Sequence, residues 1–214
     1  MTKAANSAYD RTMAVLDWLV QEPSLTLSGE DVMLRAPRMA DYPDWAELRR
    51  SSREFLQPWE PTWPADDLTR GAFRRRLSIY NRDFDLGLGY AFFVFRRDDD
   101  ALVGGINLRD VRRGVSQSAA VGYWVGRGHA RQGHTLDATR TVLRFALYTL
   151  GLHRIEAACC PENDASSHLL RRAGFQEEGL ARAYLKINGV WRDHLLFGLV
   201  RGDHPDEDLR PFDG

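Results

Sequence analysis

Five consecutive residues, Arg131, Gln132, Gly133, His134 and Thr135, separate an alternating apolar stretch, "AVGYWVG", from a segment with helical apolar spacing. A strand, a glycine-containing loop and a helix N-terminus bring unpaired backbone N–H groups and the positive end of a helix dipole to one point. That arrangement suits a diphosphate, with the amides of Arg131 to Thr135 aimed at its oxygens and Gly133 letting the backbone come close. Each hydrogen bond to a charged oxygen contributes roughly 1.5–3 kcal/mol, so a few give micromolar anchoring. The same residues also suit a plain connection that needs a glycine, and the loop alone does not choose.

Other chemistries fit less well. His129 and His134 are five residues apart, whereas a metal-binding pair on one helical face needs three or four, so no metal is expected. The 29 basic and 30 acidic side chains leave a net charge of −1, which gives no general attraction to nucleic acid or anionic membrane. The run Arg74-Arg75-Arg76 has no interleaved aromatics and reads as a solvated helix face. Further along, "PENDASSHLLRRAGF" places Asn163 at a strand end, Ser166 three residues later and a helix closed by Gly174 and Phe175. Trp59 and Glu60 lie in "QPWEPTWP", whose three prolines dictate a loop.

The elements that must position these residues follow from periodicity. "DVMLRAPR" alternates as a strand; "ADYPDWAELRRSSREFL" puts Trp45, Leu48 and Leu56 on one helical face; "DDLTRGAFRRRLSIYNRDF" is a second helix. "GYAFFVFRR" and "ALVGGINLRDV" flank a turn at Asp98-Asp99-Asp100, and "SQSAAVGYWVG" completes a three-stranded meander. Leu136, Thr139, Leu143, Ala146 and Leu150 form the helix after the loop, capped by Gly151. "RIEAACC" is a strand, and Asn188-Gly189 favours a type I′ turn in a final hairpin that starts near Tyr184. The order β-α-α-β-β-β-α-β-α-β-β describes an α/β (α+β) domain, a mixed, mostly antiparallel sheet with helices on both faces. Met13, Leu16 and Val20 mark a short amphipathic helix in an N-terminal extension, residues 1–29; the domain covers 30–202 and an acidic tail 203–214. The adjacent Cys159 and Cys160 give no disulfide framework, and no signal peptide is evident, so a cytoplasmic location is expected.

Several of these stretches, taken in order, resemble the GNAT superfamily of acyl-CoA-dependent N-acetyltransferases, and within it the RimJ/RimL group that acts on protein N-termini. The resemblance rests on "LRAPRMADYPDWAEL", "FLQPWEPTW", "VGYWVG", the Asn163-Asp164-Ala165-Ser166 run before "AGF", and "YLKINGVWRDHLLF", and covers about residues 30–202. It implies acetyl-CoA as the acyl donor, with Arg131, Gln132, Gly133, His134 and Thr135 on the pyrophosphate, Val125 near the thioester and Asn163 on the pantetheine. The loop departs from the family pattern at Ala130, in place of a polar residue, and at Thr135, in place of a small one; this puts coenzyme affinity in question.

The resemblance also assigns roles in the reaction. Many members carry a tyrosine seven residues after the asparagine, where this chain has Leu170; the RimL-like pattern uses a serine as the acid, which would be Ser166. An early-turn serine of the helix is an equal reading. Glu60 is the first candidate for the base, with a structural or acceptor-binding carboxylate as the other reading; Asp193 and His194 come second. Trp59, Trp63, Tyr90 and Tyr184 are candidate walls of the acceptor cleft, with Glu60 and Asp193 as further acceptor contacts. An α-amine, with pKa near 7.7–8, needs only about 1 kcal/mol to be neutral at pH 7, and a lysine about 4.6 kcal/mol. A site without an obvious strong base thus favours a protein N-terminus, ribosomal-protein alanine type. A small amine or antibiotic, and an acyl-CoA-binding module without catalysis, remain as alternatives. Neither nucleic acid nor membrane is an expected partner.

Overall fold

The computed structural model describes residues 25–203. The amphipathic segment around Met13–Val20, and the tail beyond Asp203, lie outside them. Eight strands form one sheet in the order β1-β2-β3-β4-β5-β6-β8-β7. They are β1 (Thr26–Ser28), β2 (Val32–Arg35), β3 (Tyr90–Arg96), β4 (Leu102–Arg112), β5 (Ser118–Val125), β6 (Arg154–Cys159), β7 (Gln176–Ile187) and β8 (Val190–Val200). The helices are α1 (Tyr42–Ser51), α2 (Arg70–Asp85), α3 (His134–Arg144) and α4 (Asp164–Arg172). A short helical stretch, Arg53–Leu56, and a 3-10 turn, Gln57–Trp59, follow α1.

Period-two alternation on β3 feeds a core on each face of the sheet. Phe93 and Phe95 pack with Trp45 and Ala46 of α1 and Phe73 and Leu77 of α2. Phe92 and Val94 face the other way, toward Ala138, Val142 and Leu143 of α3. Leu170 of α4 and Phe197 of β8 belong to that second cluster. After Arg144 the helix widens into a π segment, Phe145–Thr149, that buries three successive side chains, Phe145, Ala146 and Leu147. Gly151, at φ 69°, then ends the segment as expected of a left-handed cap. Asn188 and Gly189, at φ 43° and 83°, make the expected tight turn.

Two strands escape the sequence pattern. β1 pairs with β2 through Thr26, Leu27 and Ser28, so the sheet starts inside the stretch read as an extension. β7 begins at Gln176 rather than near Tyr184, and its register slips between Glu177 and Gly179 and between Ala181 and Leu185. Nearly all of β7 is exposed, so no buried face imposed an alternation that could be read.

Neighbouring strands are antiparallel with one exception that shapes the site. β5 and β6 run parallel and pair only through Ser118–Arg154, Ala119–Ile155 and Ala120–Glu156. β5 then stays with β4 as far as Val125, while β6 stays with β8 as far as Cys159. The sheet therefore opens between them toward the loop that precedes α3.

Candidate active site

The opening between β5 and β6 leaves the far half of β5 without a partner on one edge. Gly122 and Gly126, the two glycines of this stretch, serve packing rather than clearing that edge. A methyl group on Gly126 would collide with Leu48 of α1, and one on Gly122 would sit 3.2 Å from Asn107 Oδ1. The edge is clear because β6 turns away.

The loop leaving β5 is fixed from both sides. Gly126 N–H donates to Val103 O (2.9 Å), Arg127 N–H to Ser52 Oγ (2.9 Å) and His129 N–H to Gly126 O (2.9 Å). Gln132 closes the loop by donating Nε2–H to Gly128 O (2.8 Å). Arg131 and Gly133 both take positive φ, 62° and 91°. A Cβ built on Gly133 meets no atom within 4 Å, so the space in front of it is open. The N–H of Asp137 bonds back to Gly133 O (3.1 Å). Helix geometry leaves the amides of His134, Thr135 and Leu136 before it without an intrahelical carbonyl.

Asp137 would place a carboxylate in this first turn, yet it faces away. Its oxygens accept the N–H groups of Glu30 (3.1 Å), Asp31 (2.8 Å) and Val32 (3.2 Å) in the β1–β2 turn. The His134 ring is buried, and neither of its nitrogens has a partner among the described residues. Burial, then the charges of Arg96 and His134, lower the pKa of His129. Orphan amides, open space at Gly133 and an uncommitted buried imidazole fit a phosphate-bearing group.

Across the opening, Asn163 caps α4. Its Oδ1 accepts from Ser166 N–H (3.1 Å). Ser166 is thus both an early-turn residue and a hydroxyl at the gap: its Oγ lies 2.7 Å from the hydroxyl of Tyr123 on β5. Cys159, at the end of β6, is also hydrogen-bonded to the Ser166 side chain, and burial pushes its thiol up to about 11. Burial likewise raises the pKa of Tyr123 well above the ordinary phenol value. Leu170 is 1% exposed and belongs to the core.

A second group lies around the loop after α1. Arg49 donates Nη1–H to Glu60 Oε1 (2.7 Å) and Nη2–H to Glu60 Oε2 (2.6 Å), and Trp63 Nε1–H donates to Oε2 (2.7 Å). The guanidinium stacks 4.1 Å from the Trp63 ring and 5.0 Å from that of Trp124 on β5. Asn188 N–H donates to Glu60 O (2.9 Å), which ties the loop to the tip of the β7–β8 hairpin. Trp59 is 36% exposed and Tyr184 48%. Asp193 Oδ1 accepts from Ala183 N–H (2.7 Å), holding the bulged stretch of β7 where Ala183 has φ 46°. His194 is buried; its Nδ1 lies 3.0 Å from Arg192 O and so carries the proton, leaving Nε2 to accept from the Cys160 thiol at 3.6 Å. Tyr90 is 9% exposed and packs edge-on against Phe84 and Phe145, with its free edge on a cavity shared with Leu88, Gly89, Asn107 and Arg109.

The structure thus brings together Val125, the 131–135 loop, Asn163 and Ser166 around one opening, and groups Glu60 with Trp63 beside it through Trp124. Sequence reasoning passed over Tyr123, Arg49 and Asp137. Tyr123 stood in the alternating "VGYWVG" stretch, where every second side chain faces one side. Arg49 and Asp137 carried no local signal, because their partners are distant in sequence. Among the described residues, no group of three or more His, Cys, Asp or Glu side chains is placed to hold a metal ion. No described helix is long and apolar enough to cross a membrane.

Comparison with known proteins agrees with this fold. Residues 31–176 match the acetyltransferase (GNAT) domain. A probable N-acetyltransferase of Bacillus subtilis, YjcK, is 33% identical over 83% of the chain and 98% of its own length. The [ribosomal protein uS5]-alanine N-acetyltransferase of Escherichia coli is 32% identical over 85% of the chain and 93% of its own length. Among solved structures, Mycobacterium smegmatis RimJ in complex with CoA-disulfide superposes with a TM-score of 0.81 at 31% identity, covering 85% of this chain and 90% of that one.

Proposed function

The chain belongs to the GNAT acetyltransferase family, and from that premise we propose that it moves an acetyl group from acetyl-CoA to the α-amine of a protein N-terminus, of the ribosomal-protein alanine type. The observation that carries the donor side is the parting of β5 and β6 after Ala120 and Glu156, with the Gly133-capped end of α3 at its mouth. The acceptor side leans on the 32% identity to the uS5-alanine enzyme over most of both chains. A cytoplasmic location goes with that substrate.

In this reading the amides of Arg131 to Thr135 hold the pyrophosphate, and the free edge of β5 up to Val125 takes the pantetheine as an extra strand. The side-chain amide of Asn163, its carbonyl engaged in the cap, steadies the pantetheine from the other side. A β5 amide near Val125 supports the carbonyl oxygen as negative charge develops there. Ser166 donates its hydroxyl proton to the departing sulfur.

Glu60 holds the acceptor side rather than taking the proton. Its two oxygens receive three hydrogen bonds, two of them from a guanidinium, so the lone pairs a base would use are already engaged. Trp59, Tyr184 and Asp193 then border the cleft formed by the loop after α1 and the last hairpin. An N-terminal amine suits such a site, because it needs little help to be neutral at pH 7.

Thiol release from acetyl-CoA tests this with two peptide pools. One has free N-termini beginning with Ala, Ser or Thr and no lysine; the other has blocked N-termini and internal lysines. Turnover on the first pool alone is the expected result. Turnover on lysines alone, or only on small amines, would replace the acceptor assignment. Acetyl-CoA binding with no turnover on any amine would end the catalytic reading.

A further inference from the structure

A serine hydroxyl has one hydrogen to give and rotates freely about its C–O bond. To deliver that hydrogen to a departing sulfur reliably, Ser166 needs a group that fixes its direction. Leu170, buried in the core, supplies no hydroxyl from α4. The phenol near Ser166 comes instead from the strand on the other side of the opening. Tyr123 lies three residues beyond Ala120, the last β5 residue paired with β6, and its hydroxyl is 2.7 Å from Ser166 Oγ.

We propose that Tyr123 is a positioning residue for the transfer: its hydroxyl donates to Ser166 Oγ and so turns the serine's own hydrogen toward the sulfur. The direction follows from the geometry. If Ser166 were the donor, the phenol hydrogen would be left with Ser166 O at 3.5 Å, a much poorer acceptor. Donation by Tyr123 uses the 2.7 Å contact and leaves the serine hydrogen with only the Cys159 sulfur beside it, a weak acceptor that the departing sulfur can replace. Burial keeps Tyr123 protonated far above neutral pH, so it remains a donor throughout the working range.

The proton balance needs no residue to change state. The amine lone pair attacks the carbonyl carbon, a C–N bond forms, and the C–S bond breaks with its electron pair on sulfur. Sulfur takes the Ser166 hydroxyl proton, and the proton lost by nitrogen restores the serine. Tyr123 begins and ends as a phenol. Its hydrogen bond is strongest when negative charge passes through Ser166 Oγ, so its effect belongs to the transition state.

The proposal rests on the acetyltransferase reading, and one experiment separates the two. Thiol release from acetyl-CoA with a saturating accepted amine is measured for the wild type, Tyr123→Phe, Ser166→Ala and the double variant, alongside acetyl-CoA affinity by calorimetry. Tyr123→Phe keeps the ring and removes only the hydroxyl. It should lower kcat about tenfold to a hundredfold while acetyl-CoA affinity stays within about twofold. In the Ser166→Ala background the same change should cost nothing further, because Tyr123 acts through the serine. An unchanged kcat in Tyr123→Phe, losses that multiply in the double variant, or equal losses of kcat and affinity would each overturn the assignment while the function stands. A wild type that releases no thiol with any amine would overturn both.

Discussion

Arg49 and Glu60 meet fork to fork, with both oxygens of the carboxylate engaged and the guanidinium lying between the indoles of Trp63 and Trp124. The pair links α1 and the loop after it to β5, which is distant in the sequence. Its Arg side chain is 6% exposed and its Glu side chain 21%, so removing either charge strands the other in a poorly solvated place.

Glu60→Gln should therefore act on stability more than on protonation chemistry. We expect a loss of about 2–3 kcal/mol, below the fully buried case because Glu60 retains some solvent. The pH–rate profile of the surviving activity should keep its shape. Thermal unfolding and kcat/KM from pH 6 to 9 check this; a profile that loses its acid limb would make Glu60 the base after all.

Gly133 has room for a side chain but not the backbone for one. Gly133→Ala should cost about 1 kcal/mol for the left-handed φ while leaving most coenzyme affinity intact. Gly133→Glu carries the same strain and adds a carboxylate where phosphate oxygens are proposed to sit, so acetyl-CoA binding should vanish with similar stability. Calorimetry on the two variants separates strain from blockage.

Asp137 holds three successive amides of the β1–β2 turn. Asp137→Ala should destabilise the protein by about 2–3 kcal/mol and speed hydrogen exchange at Glu30, Asp31 and Val32 ahead of the rest of the sheet. Asp137→Asn, which keeps one acceptor oxygen, should recover part of the protection.

Cys159 gives a pH prediction with a definite sign. Burial raises its folded pKa to about 11 from a model-compound value of 9.0, so the folded state holds this proton more tightly than the unfolded one. Its contribution is fully present below about pH 9 and is lost as pH climbs toward 11. Alkaline melts should show stability falling across that window, and Cys159→Ala should flatten the fall. Alkylation at pH 8 should be slow in the folded protein.

How much of this was legible beforehand depended on how local each signal was. The loop at 131–135, the Asn163 cap and the Asn188-Gly189 turn are written in consecutive residues, and backbone geometry follows from them directly. The strand at β3 was visible as the apolar run "AFFVF", although which of its side chains feed which core was not. β7 was not, because an exposed, bulged edge strand imposes no period. Glu60 stood out as a carboxylate between aromatic and proline neighbours, but its partner Arg49 lies in a helix whose sequence says nothing about where that side chain ends. Tyr123 is the instructive miss: it matters because α4 returns to β5 across the opening, and only the topology brings Ser166 to it.

The three-residue seam between β5 and β6 also bears on how the protein is made. Strands β1 to β5 are sequential neighbours, so this half-sheet, with α1, α2 and α3, can be complete before β6 has left the ribosome. Ile155, Leu170, Phe197 and Leu199 arrive last and finish covering the apolar face behind α3. Asn163 and Ser166 arrive with them. A chain that stops short of β6 therefore displays the loop at Gly133 without the opposite wall, and competence for the reaction comes only once β6, α4 and β8 are in place.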